Sequence, residues 1–189
     1  MKKITKNLFL LSFFGISLFA SSEKVDFSIS EKYQDLSSEI FKNISSHHYT
    51  REIDKESFND LYIDALLEEL DGNKNLFLSY EIKSFKRKSS NYKKNRENFD
   101  INLAYEILNT YFNRVIEISE YQIKLAKKDN FDLSIDEDVD IFYDDNEYAI
   151  TMNELKERWR KTTKNDFIVS VLAKDDEDEI ISNLINRYE

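Results

Sequence analysis

The sequence predicts an all-α protein with a single domain of about six helices around one long central helix. Its 189 residues include no proline and two glycines, whereas sheets joined by tight turns usually need more of both. Hydrophobic residues make up 41% of the chain, enough for a packed core. Between Asp100 and Lys127 apolar residues recur at steps of three and four, which predicts the central helix.

This central stretch carries two neighbouring lines of mostly apolar side chains. The first is Ile101, Ala104, Leu108, Tyr111, Val115, Ile118, Gln122 and Leu125, and the second is Tyr105, Phe112, Ile116 and Ile123. A helix that is apolar over so much of its girth needs neighbours on more than one side. We therefore expect the other helices to surround it.

The first 20 residues have the pattern of a secretory signal peptide. Three lysines among the first six residues precede an apolar run from Leu8 to Phe19, and Ala20 offers a small-residue cleavage point. The run is short for a membrane span, so we expect cleavage, with an uncleaved anchor as the alternative. Residues 21–30 then form a flexible leader, and residues 31–189 form the folded domain.

Charge and cysteine content exclude several classes of function. The net charge of −10 argues against general binding to nucleic acid or to anionic membranes, since both are negatively charged. The absence of cysteine excludes a disulfide, a thiolate zinc site, a cysteine nucleophile and a lipoprotein anchor. An exported protein of this composition depends on its core alone for stability.

The helices before the central one are predicted from apolar spacing and from their end signals. Residues 31–46 predict a first helix, and residues 58–70 predict a second, for which Asp54 is a suitable N-cap. Gly72 suits a left-handed cap at the end of the second helix. After a short apolar connector, Ser79 is a suitable N-cap for a third helix.

The last two helices follow an acidic segment. Thr151 and Glu154 form a capping box, and Ile150 with Leu155 has the spacing of a hydrophobic staple. Together they predict the start of a helix, and apolar residues at helical spacing extend it to about Leu172. A charged break follows, whose carboxylates suit the start of a final amphipathic helix.

The expected core draws on the second helix, the connector after it, the central helix and the last two helices. Its members are Leu66, Leu70, Phe77, Leu108, Phe112, Val115, Trp159, Leu172 and Leu184.

Two charged stretches flank the central helix. The basic one comprises Lys83, Lys86, Arg87, Lys88, Lys93, Lys94 and Arg96. We interpret it as a solvated helix face and loop, with contact to the acidic segment of residues 129–147 as an alternative.

The acidic segment of residues 129–147 partly matches the pattern of a calcium-binding loop. Positions one, three, five, nine and twelve of such a loop are filled by Asp136, Asp138, Asp140, Asp144 and Glu147. Ile141 stands where the loop needs glycine, so weak calcium binding is a minor alternative.

The remaining chemical signals do not define a site. His47 and His48 are adjacent and cannot both face one metal from a helix, so we assign them to packing. Ser90 and Lys93 match the spacing of serine acyl enzymes but lack its companion motifs. A binding surface is guessed around Tyr49, Tyr80 and Tyr92. No catalytic, cofactor-binding or metal-binding residue is predicted.

Three blocks of residues occur in a fixed order along the domain. The first runs from His48-Tyr49 through Leu70-Asp71 to Phe85, the second from Asp100 to Phe131-Asp132, and the third from Asn153-Glu154-Leu155 through Trp159 to Arg187-Tyr188. The ordered set resembles the N-terminal helical domain of tail-specific (carboxyl-terminal processing) proteases over roughly residues 31–189. One departure is the loop of residues 142–148, which lacks the proline usual in that family.

The resemblance implies a non-catalytic module. In the family this domain precedes a PDZ domain and a serine protease domain with a Ser/Lys dyad, and neither is recognisable in this sequence. The domain then frames the substrate-binding bowl and offers surfaces to adaptor proteins of the bacterial periplasm. Protein partners are expected, with no cofactor, no nucleic acid and no membrane anchor after cleavage. A free-standing adaptor or decoy, or an unrelated exported helical protein, remain the alternatives.

Overall fold

The described part of the protein is entirely helical apart from its connections. The structure is a computed structural model that describes residues 24–47, 55–93, 101–127, 131–139, 147–173 and 177–188. These residues form the helices α1 (Glu31–His47), α2 (Lys55–Asp71), α3 (Ser79–Lys93), α4 (Ile101–Lys127), α5 (Met152–Leu172) and α6 (Glu177–Tyr188). The all-α prediction is confirmed. The proposed signal peptide, residues 1–20, and the proposed cap Asp54 lie outside the described residues.

Helix α4 is the centre of the domain, as its apolar girth predicts. It packs against α2, α3, α5 and α6, and the pairs α2–α3 and α5–α6 also pack together. Helix α1 adds little to this core, because the apolar residues Leu36, Ile40 and Ile44 on its side remain exposed. None of the six described helices combines the length and the apolar character needed to cross a bilayer.

The buried side chains form three clusters along α4. The first comprises Ile63, Leu67, Phe77, Ile82, Phe85, Leu103 and Ile107. The second comprises Leu78, Ala149, Leu155 and Trp159, and the third comprises Ala126, Phe167, Ile180 and Leu184. Each cluster contains residues from a different set of helices and connections, and together the three clusters form the core beside the central helix.

Most of the expected core is buried, but two members are not. Phe77, Trp159 and Leu184 are fully buried, and Leu66, Leu70, Leu108 and Val115 are partly buried. The prediction was wrong for Phe112, which is 39% exposed, and for Leu172, which is 75% exposed. The most buried line of α4 is instead Leu103, Ala104, Ile107, Arg114, Gln122 and Ala126, a line rotated away from Phe112. Leu172 lies in the last turn of α5, where α6 packs on the Phe167 side.

The turn after α2 is organised by a buried carboxylate. Asp71 accepts hydrogen bonds from the backbone N–H groups of Asn75 (2.7 Å), Leu76 (3.0 Å) and Phe77 (2.8 Å). Burial raises the pKa of the Asp71 carboxyl, and these hydrogen bonds partly offset the effect. The prediction for Gly72 was wrong, because the left-handed residue of this turn is Lys74, at φ 53°.

Replacing Asp71 with alanine is expected to lower the free energy of unfolding by about 2–4 kcal/mol. The substitution leaves three backbone donors without their acceptor, and a buried unsatisfied donor costs about 1–3 kcal/mol. Asp71→Asn, which keeps one acceptor oxygen, should lose less. Urea titration followed by circular dichroism measures both, and equal losses for the two variants would contradict this role of the carboxylate.

Side-chain oxygens accept hydrogen bonds from backbone N–H groups at the starts of α3 and α5. Ser79 is the first residue of α3 rather than its N-cap, and the Glu81 carboxylate accepts from the N–H of Leu78 at 2.7 Å. At α5 the predicted cap is confirmed, since Thr151 Oγ1 accepts from the N–H of Glu154 at 3.2 Å. The predicted staple was wrong, because Ile150 is 71% exposed.

Candidate polypeptide-binding face

Residues 24–30 form an extended N-terminal segment that lies along α4. The backbone N–H of Val25 donates to Asn113 Oδ1 (2.9 Å), and Asn113 Nδ2 donates to the Val25 carbonyl (2.8 Å). Phe27 and Asn109 repeat the arrangement, at 2.7 Å and 3.1 Å. We call the pair Asn109 and Asn113 the asparagine bracket. It satisfies both backbone polar groups of two alternate residues.

The bracket works because the periods of helix and extended chain match. Four residues of an α-helix rise about 6 Å, and two residues of extended chain span about 6.6 Å. Side chains four apart on α4 therefore meet residues two apart on the segment. Because Val25 faces Asn113 and Phe27 faces Asn109, the segment runs antiparallel to α4.

An aromatic contact accompanies the hydrogen bonds. The ring of Phe27 meets the ring of Phe112 edge-on, with centroids 5.2 Å apart, and Phe112 meets Tyr111 in the same way at 5.2 Å. Phe112 is 39% exposed even with this contact, and its ring packs on the segment rather than in one of the three core clusters. A cavity of about 490 Å³ continues the face past Phe27 and is lined by Ile29 and Tyr105 among others.

A nearly buried ion pair lies one residue beyond the bracket. The Arg114 guanidinium donates to Glu81 at 2.7 Å, and it also reaches the Met152 sulfur at 3.1 Å. Glu117 lies 3.6 Å from Arg114 and pairs with Lys156 at 3.0 Å. These contacts join α3, α4 and α5, so the helix that carries the bracket is held from two sides.

The acidic segment docks on α5 through Glu137. Its carboxylate pairs with Arg160 and, at 2.6 Å, with Lys164, whose ammonium also donates to the Ile135 carbonyl at 2.9 Å. Hydrogen bonds from Arg160 and then from Lys164 lower the pKa of Glu137 to about 2. The segment therefore meets basic residues of α5.

The basic stretch that follows Ser79 forms ion pairs with other helices. Among the side chains that the structure describes, Lys86 pairs with Asp64 of α2, and Lys88 pairs with Glu106 of α4.

Acidification is expected to release this segment at a low pH. The pKa of Glu137 lies below its ordinary value of 4.5, so the stabilisation is present above that value and is lost as the pH falls towards 2. The protection factors of the amides of residues 131–139, which are the exchange rates corrected for their intrinsic pH dependence, should be unchanged at pH 5 and fall towards pH 2. Release above pH 5 would show that another group controls the docking.

Among the residues proposed from sequence, those that the structure describes do not form a common site. Asp140, Ile141 and Asp144 lie outside the described residues, and within the described ranges no three His, Cys, Asp or Glu side chains are placed to share a metal. Among the remaining candidates, His47, Ser90 and Tyr80 are exposed, His48 and Tyr49 are not described, and the side chains of Tyr92 and Lys93 are not described.

Sequence reasoning missed the bracket. One signal was present, because Val25, Phe27 and Ile29 alternate with polar residues, a pattern typical of extended chain with one covered face. The second was the pair of asparagines four apart on a helix, which intrinsic helix propensity does not favour.

Comparison with known protein families gives a match over most of the chain. A family model described as the tail specific protease N-terminal domain matches residues 40–189, and no peptidase or PDZ domain is matched with it. No curated protein matches the chain. The matched range includes both asparagines of the bracket and begins after the segment that they hold.

Proposed function

Because the chain belongs to the family of tail specific protease N-terminal domains, we propose that it is the non-catalytic N-terminal module of an exported tail-specific serine protease. In this role it frames the binding of substrate or adaptor proteins and performs no peptide-bond chemistry itself. The match over residues 40–189 carries the proposal. The resemblance found in the sequence is thereby confirmed at the level of the family.

The architecture supports a framing role. Helix α4 is held by four other helices and by the ion pair between Arg114 and Glu81, so surfaces on it keep their geometry. Two surfaces suit protein partners: the apolar side of α1, with Leu36 and Ile40 exposed, and the face around Phe112. Contiguous exposed apolar side chains on a water-soluble domain commonly mark contacts with other macromolecules.

The proposed location is the periplasm of a bacterial cell envelope. It rests on the basic and apolar pattern of residues 1–20 and on the family's role. The net charge of −10 supports protein partners over nucleic acid.

The size of the native product in cell-envelope extracts tests this proposal. An antibody raised against residues 31–189 is expected to detect a species whose tryptic peptides include those of a PDZ domain and a serine protease domain. A species that matches residues 21–189 alone would overturn the proposal in favour of a free-standing binding protein. Mass spectrometry of the same species also reports whether residues 1–20 have been removed.

A further inference from the structure

We infer that the α4 face formed by Asn109, Phe112 and Asn113 is a binding site for an extended segment of another polypeptide, and that residues 24–29 occupy it in cis. The inference deepens the proposed function, on which it rests for the identity of the incoming chain as a substrate or adaptor. The binding chemistry itself is independent of that identity.

The bracket recognises mainly the backbone of the segment, and one long side-chain contact, 3.5 Å from Asn109 Nδ2 to Asp26 Oδ1, accompanies its backbone hydrogen bonds. Each asparagine accepts from an N–H and donates to the carbonyl of the same residue, at Val25 and at Phe27. No side chain of the bound segment takes part in these four hydrogen bonds. Any two alternate residues with free N–H groups can therefore satisfy the bracket, and proline at either position cannot.

Side-chain preference comes from what borders the bracket. The position of Phe27 places its ring on Phe112 at 5.2 Å, so an aromatic residue is favoured there. At the other end, Lys24 borders a cavity of about 340 Å³ whose lining includes the carboxylates of Glu117 and Glu120 and the cation of Arg114, so this end sets no charge preference. The matching partner is an extended segment with an aromatic residue at the position of Phe27 and no proline there or two residues earlier.

The occupant seen in the structure is held lightly enough to be exchanged. Residues 24–30 contribute no buried side chain, and Phe27 itself is exposed. The contacts that hold the segment are the bracket, the ring contact of Phe27 and a long hydrogen bond of 3.5 Å from Asn109 to the Asp26 carboxylate, and the segment enters none of the three core clusters. A second polypeptide can form the same backbone hydrogen bonds with the bracket. Because residues 24–29 already occupy the face, they lower the apparent affinity for that second polypeptide.

A peptide titration tests the inference directly. The probe is a synthetic peptide of residues 24–30, added to isotope-labelled protein produced from the whole 189-residue sequence and followed by NMR. In the protein, Phe27→Pro removes the backbone N–H that donates to Asn109 Oδ1, and it also removes the aromatic ring that packs against Phe112. This variant is expected to bind the peptide at least about tenfold more tightly than the wild type, because its own segment no longer competes.

The bracket is tested in the Phe27→Pro background. Adding Asn109→Asp and Asn113→Asp replaces each amide donor with an oxygen that repels the peptide carbonyl, so binding should be lost. The matched control is Asn186→Asp, at an exposed position on α6, which should leave peptide binding unchanged. Titration should also shift the side-chain amide signals of Asn109 and Asn113, a change that nonspecific association does not predict.

Two results with the protein variants would overturn the inference: no gain in affinity from Phe27→Pro, or undiminished binding by the variant that carries Asn109→Asp and Asn113→Asp. A peptide with proline in place of Phe27 serves as a further probe, and binding equal to that of the original peptide would also overturn it. Its failure is distinguishable from that of the proposed function. The envelope experiment can find a free-standing protein while the peptide still binds, and the reverse can also occur.

Discussion

Trp159→Ala is expected to lower the free energy of unfolding by about 3–5 kcal/mol, the range for truncating a fully buried aromatic residue. Trp159 is 2% exposed and packs with Leu78, Ala149 and Leu155. Its indole Nε1 donates to the Asn75 carbonyl at 2.7 Å, which ties α5 to the turn that Asp71 organises. The truncation removes both the packing and this hydrogen bond.

The measurement is urea titration followed by far-ultraviolet circular dichroism, since the variant has no tryptophan fluorescence. Leu172→Ala is the matched control. It truncates an apolar residue of the same helix that is 75% exposed, so its effect should stay within about 0.5 kcal/mol. A loss below 1 kcal/mol for Trp159→Ala would remove this side chain from the core.

Glu81→Ala is the second variant with a large expected effect, a loss of about 3 kcal/mol. Breaking a buried ion pair costs about 3–5 kcal/mol because the remaining charge is stranded. The lower end applies here, since Glu117 lies 3.6 Å from Arg114 and compensates in part. The variant also removes the acceptor of the Leu78 N–H at the start of α3.

A double variant distinguishes the cost of the unpaired Arg114 charge from the cost of lost packing. Adding Arg114→Met to Glu81→Ala removes that charge, so the double variant should be more stable than Glu81→Ala alone. Thermal unfolding by circular dichroism compares these two variants with Arg114→Met alone. If the double variant loses the sum of the losses of Glu81→Ala and Arg114→Met, Arg114 and Glu81 are not energetically coupled.

The helices themselves could be predicted because their signals are local. The spacing of apolar residues over Asp100 to Lys127 predicted α4, which runs from Ile101 to Lys127. The capping box at Thr151 predicted the start of α5. Both signals depend on neighbours three or four residues apart, so a single sequence contains them.

Burial was predicted less well where a residue lies at the margin of an apolar stripe. Phe112 fits the helical spacing of α4, yet the buried line includes Arg114 and Gln122. Arg114 enters that line because Glu81 of α3 neutralises it, and Gln122 enters because its side chain donates to Thr163 at 3.1 Å. A polar residue can be buried wherever a partner from another helix satisfies it, and that partner is invisible in local spacing.

The candidate site depended on contacts between distant parts of the chain. The sequence by itself determined the helical class, the central position of α4 and the membership of the family, because these rest on composition, local periodicity and ordered motifs. Only the tertiary structure decided that Asn109 and Asn113 meet residues 82 and 88 positions earlier in the chain. The physical reason is that a backbone-binding asparagine needs no particular side chain opposite it, so the alternation of residues 25–29 predicts an extended segment but not the helix that it meets.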